Sequence, residues 1–148
     1  MNVFIFSFNF NPVSVKAADQ KIAQLNSELS TQKIIQKHCD SYRLCRKVIE
    51  DCKSAKDPKA YRTKHQAEYH LHDSLKKELQ NLGVTKIPSS DKIKKRIENL
   101  ESEQTASLRE KQGLQEKQKL LNTIQQNFNV LLDAPEMQPP LSEKENTL

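Results

Sequence analysis

The chain has 148 residues and a net charge of +5, with only two glycines, no tryptophan and 5% aromatic residues. So little aromatic and β-branched alternation excludes a strand-built fold, and so little glycine argues against a strained catalytic turn or a Gly-rich phosphate loop. With 29% charged residues and a mean hydropathy of −0.80, rich in Lys, Glu, Gln and Leu, it reads as all-α. The expected architecture is an elongated, coiled-coil-like helical hairpin of two long helices and one shorter one.

Met1 to Val15 is apolar, with Val3, Phe4, Ile5, Phe6, Phe8 and Phe10, and its composition differs abruptly from that of the chain beyond Lys16. It lacks the basic start of a signal peptide, Asn9, Asn11 and Pro12 interrupt it, and it is too short to span a membrane. Residues 1–16 are therefore expected to be a poorly ordered leader, foreign to the rest, that binds weakly to apolar surfaces.

Helix one is expected over about 17–55. Its seam is Ile22, Leu25, Leu29, Ile34 or Ile35, His38, Tyr42, Cys45, Ile49 and Cys52, in steps of three and four. Asp57-Pro58 ends it, because the residue before proline is pushed out of the α region. Helix two runs over 58–82, from Pro58 at a first helical position to Gly83 as C-terminal cap. Its face is Tyr61, His65, Glu68 or Tyr69, His72, Leu75, Leu79 and Leu82.

The third and longest helix is expected over 90–132. Ser89, Ser90 and Asp91 offer oxygens to its first N–H groups, and no proline occurs again until Pro135. Its apolar positions are Ile93, Ile97, Leu100, Leu108, Leu114, Leu121, Ile124, Phe128 and Leu131. At 1.5 Å per residue it would be roughly 60 Å long, too long for one globular core, so it must lie on partner helices. Helices one and three would form an antiparallel pair with helix two at one end. A helical module over 17–133 would then precede a disordered tail, 134–148, which holds Pro135, Pro139 and Pro140.

Cys39, Cys45 and Cys52 are odd in number and lack C-x-x-C spacing, so they read as reduced thiols in a helix seam. His65, His70 and His72 lie close to Glu68 and Asp73. On a helix, however, His70 and His72 point about 200° apart, and Glu68 with His72 gives two ligands where a zinc site wants more. Interface histidines are the expectation, with no metal, no cofactor and no catalytic motif.

The basic residues carry the clearest functional signal. Arg43, Arg46, Lys47, Lys53, Lys56, Lys59, Arg62 and Lys64 cluster where helix one gives way to helix two, and Lys92, Lys94, Lys95 and Arg96 open the long helix. The antiparallel plan gathers both clusters near one end, where DNA phosphates would bind by counterion release. An ordinary solvated charged face is the competing reading.

The run Tyr42-Arg43-Leu44-Cys45-Arg46, then Tyr61-x-x-x-His65-x-x-Glu68, then His72-Asp73-Ser74-Leu75-Lys76-Lys77, then Ile87-Pro88-Ser89, then the long helix closing on Ile124 to Leu132, resembles the C-terminal helical region of plasmid and transposon mobilisation relaxases. The similarity runs from about Ala17 to Asp133. Phe128 and Asn129 stand where that family often has Val and Asp. The family's nuclease domain, with its nicking tyrosine and histidine triad, has no counterpart here. The resemblance thus implies a relaxase tail without its head, read from a truncated or frameshifted gene. It implies a bacterial, cytoplasmic, non-enzymatic module that contacts DNA or transfer-complex proteins. The alternative is a free-standing structural coiled coil, with no DNA role, that dimerises through the long helix.

Overall fold

The computed structural model describes residues 12–133, and the leader residues 1–11 and the tail 134–148 lie outside them. Four helices follow in order: α1 (Pro12–Cys52), α2 (Pro58–Lys64), α3 (Gln66–Asn81) and α4 (Ser90–Asp133). No strand occurs among the described residues, so the chain is all-α, with two long helices and two short ones. α1 already begins at Pro12, inside the stretch expected to be leader.

α1 is the rod on which the rest is built. Its first part packs against α4 and its last part against α3. Ala18, Leu25, Leu29, Ile35 and Cys39 are buried along it, while Ile34 stays 47% exposed, which decides between the two neighbouring isoleucines. α4 runs antiparallel to it. Lys33 pairs with Glu101 at 3.1 Å, Glu28 with Arg96, Asn26 with Gln104, and Asp19 with Lys111 at 2.6 Å. The core forms where α1, α3 and α4 meet, from Leu25, Leu29, Ile35, Cys39, Leu79, Ile93, Ile97 and Leu100, with Tyr42, Val84 and Ile87 packed at its edge.

Local chemistry explains the ends. The Asp57 carboxylate accepts from the Lys59 and Ala60 N–H groups at 3.1 Å each, capping α2 with Pro58 at its first turn. Gly83, at φ +81, closes α3: its N–H donates to Gln80 and the Val84 N–H to Leu79, a left-handed cap that bends Val84 and Ile87 back onto the core. Ser89 caps α4, its hydroxyl accepting from Lys92 N–H at 3.3 Å.

Two expectations need correction. The single helix expected over 58–82 is broken at His65 (φ −107, ψ 25), which ends α2 and starts α3. The α4 seam also departs from its apolar reading beyond Leu100. Counting on in threes and fours gives Gln104, Ser107, Lys111, Leu114, Gln118 and Leu121, all buried or half-buried, whereas Leu108 is 48% exposed. Polar residues therefore complete the seam, as a coiled coil tolerates at some cost in tightness.

Candidate nucleic-acid interface

The α4-facing seam of α1 changes chemistry where α4 stops. The steps through Leu25, Leu29, Gln32, Gln36 and Cys39 continue to Arg43, Arg46, Glu50 and Lys53. α4 begins beside Arg43, whose guanidinium donates to the Pro88 carbonyl and to Asp40 Oδ1 at 2.9 Å. Beyond that point the same face of α1 is charged and exposed. Charged seam residues cannot bury against another helix without heavy desolvation, so the sequence itself limits how far the α1–α4 pairing extends.

The expected basic residues divide into two kinds. The arginines are engaged: Arg43 as above, Arg46 with Glu50 at 3.0 Å, Arg96 with Glu28, and Arg62 lying 5.1 Å from the centre of the Tyr69 ring. Lys47, Lys53, Lys56, Lys59, Lys64, Lys92, Lys94 and Lys95 are exposed and enter no ion pair among the described residues. The register also separates the two clusters. Arg43 sits beside Pro88, so Lys92–Lys95 lie level with about residues 36–39 of α1, and the end of α1 at Cys52 lies about 20–24 Å further along the axis, at ~1.5 Å per residue. The Lys53–Lys64 group therefore crowns the α1–α2 tip, while Lys92–Lys95 flank the middle of the rod.

A second cluster joins α1 to α2 and α3. The Tyr42 and His72 rings stack at 4.6 Å, and Tyr61 lies 4.3 Å from His65. His65 Nδ1 meets Glu68 Oε1 at 3.2 Å, and His38 meets Glu78 at 3.3 Å. The hydrogen bond from His65 holds the Glu68 carboxyl below the usual carboxylate range. Burial pushes the Cys39 and Cys45 thiols up, which keeps them protonated and unreactive. Of the residues weighed as metal ligands, His65 and Glu68 come together, but His72 does not join them. Glu68 turns to His65, and His72 stacks on Tyr42. Among the described residues no group of three His, Cys, Asp or Glu is placed to hold a metal ion. Nothing in the sequence signals the Tyr42–His72 stack, although both residues fall on the predicted seam faces of their helices.

A concavity of about 510 Å³ lies on the outer side of α4, lined by Glu98, Glu101, Ser102, Thr105, Ala106 and Arg109. All six come from one helix, so it is a shallow surface feature with no converging groups. No helix among the described residues is long and apolar enough to cross a membrane.

No protein-family model, characterised protein or solved structure matches this chain. The likeness to mobilisation relaxases therefore rests on the residue pattern alone.

Proposed function

We propose that this chain is a non-catalytic helical module of the mobilisation-relaxase type that contacts the phosphate backbone of DNA through the basic tip of the α1–α2 hairpin. The observation that carries this reading is the unpaired lysine set. Residues 43–64 hold eight basic side chains and only three acidic ones, Glu50, Asp51 and Asp57, and Lys47, Lys53, Lys56, Lys59 and Lys64 are exposed without an ion-pair partner among the described residues. Free lysines bind phosphates as point charges by releasing condensed counterions, without reading bases. The engaged arginines hold the tip in shape instead. Lys92, Lys94 and Lys95 extend the positive field down the rod, against the dipole of their own helix. Nicking chemistry is no part of this function, and assembly with transfer-complex proteins in a bacterial cytoplasm belongs to the same reading.

Fluorescence anisotropy with labelled single- and double-stranded oligonucleotides at rising salt tests it. Affinity should fall linearly in log–log form with salt, and reversing Lys53, Lys56 and Lys59 to Glu should weaken it by about ten-fold or more. Binding that ignores salt, or survives the reversal, would discard the phosphate reading. Absence of DNA binding together with a stable oligomer by light scattering would favour the structural coiled coil.

A further inference from the structure

The far end of α4 has no partner among the described residues. Asp19 faces Lys111, so the start of α1 at Pro12 lies level with about residue 118 of α4, both helices rising ~1.5 Å per residue. From there α4 continues alone to Asp133. That free stretch is apolar and exposed: Leu120 61%, Ile124 41%, Phe128 44%, Leu131 75% and Leu132 69%. Leu121, Ile124, Phe128 and Leu131 step by three and four, and so prolong the seam that α1 covers further down. Charge disappears at the same place. From Leu120 to Leu132 there is no ionisable side chain, although the helix before Lys119 is dense with them.

We infer that the free end of α4 is the docking face for residues 1–11 of the same chain. Three observations select this occupant. Position is the first: residues 1–11 precede Pro12, and Pro12 lies at the point where the α4 face becomes uncovered. Length is the second. Eleven residues span about 16 Å if helical and about 36 Å if extended, against ~22 Å of free α4, so the segment reaches the apolar stripe. Complementarity is the third. No ionisable side chain occurs before Lys16, and Phe4, Ile5, Phe6, Phe8 and Phe10 supply the apolar bulk that the stripe lacks. Covalent connection gives this segment an effective concentration that a separate copy in dilute solution would not match. The apolar leader and the uncharged end of α4 thus form one contact, which extends the antiparallel seam to the tip of the rod.

Hydrogen exchange on the full chain, at a concentration shown to be monomeric by sedimentation, tests the inference. Amides of residues 121–132 should exchange about ten-fold more slowly in the natural chain than in a Phe4→Ser, Phe6→Ser, Phe8→Ser variant, while amides of residues 93–107 match in both and certify the fold. The reciprocal variant, Ile124→Asn with Phe128→Asn, should speed exchange within residues 1–11. Equal exchange of residues 121–132 in natural and variant chains overturns the inference. Protection that appears only at dimer-forming concentrations overturns it in favour of a second copy. Protection that appears only on adding phosphatidylcholine vesicles overturns it in favour of a lipid surface.

Discussion

Arg43 donates to the carbonyl of Pro88, 45 residues further along the chain, while also bonding Asp40 at 2.9 Å. This one guanidinium marks the point where the α1 seam turns from apolar to charged and anchors the connector that launches α4. Arg43→Ala should lower stability by about 1–2 kcal/mol, in line with a part-buried hydrogen bond from a charged donor, and should loosen residues 84–90. Urea unfolding with amide exchange of the connector would check both. Arg43→Lys should recover little, because an ammonium on a flexible stem cannot serve two acceptors set by a planar fork. An unchanged midpoint for Arg43→Ala would show that the connector is held by Val84 and Ile87 packing alone.

Leu100 and Leu108 separate the core from the solvent face of α4. Leu100 is 1% exposed and Leu108 48%. Leu100→Ala should cost about 2–5 kcal/mol through lost transfer energy and a residual cavity. Leu108→Ala should stay within about 0.5 kcal/mol, as surface changes do. Paired thermal or denaturant melts would read the difference, and comparable costs at the two positions would mean that the seam runs through Leu108 after all.

Much of this fold was legible in residues. Ser89, Pro58 and Gly83 marked helix ends because capping is local chemistry, written within a few positions of the end it serves. The pairing of α1 with α4 followed from helix lengths too great to stand alone. Three features were not legible. The break at His65 lies in a run without Gly or Pro, so nothing local announces it; it accompanies the packing of His65 on Tyr61, and of Tyr61 and Tyr69 beside Cys52. Past Leu100 the leucine pattern points to Leu108, whereas helical geometry favours Gln104, Ser107 and Lys111. The spread of the basic residues depended on register. Knowing that two helices are antiparallel does not say which residue faces which, and that decides whether Lys92–Lys95 join the tip or flank the rod.

Ser107 is a polar residue inside that seam, 2% exposed, and its hydroxyl has no hydrogen-bond partner among the described residues. A buried unsatisfied hydroxyl costs desolvation that nothing repays, and serine is also the poorer helix former. Ser107→Ala should therefore raise stability by about 1 kcal/mol, seen as a higher urea midpoint with an unchanged slope. A loss of about 0.5 kcal/mol or more would mean that the hydroxyl does find an acceptor, such as a carbonyl in the preceding turn of α4.

Glu68 sets an acid limit on the α2–α3 corner. Its carboxyl is held below the ordinary value of 4.5, first by the hydrogen bond from His65, then by a backbone N–H, against a smaller opposing effect of burial. A carboxyl with a depressed value in the fold binds its proton more weakly there than in the unfolded chain. The stabilisation is therefore complete above pH 4.5 and is lost as the pH falls below 4.5 through the folded value. Glu68→Gln removes it at every pH. The natural chain should accordingly be the more stable at about pH 7, and the gap to Glu68→Gln should shrink towards about pH 3. Urea midpoints of both chains across that range provide the measurement. A gap that stays constant with pH would show that Glu68 acts through packing, with the His65 contact contributing nothing to folding.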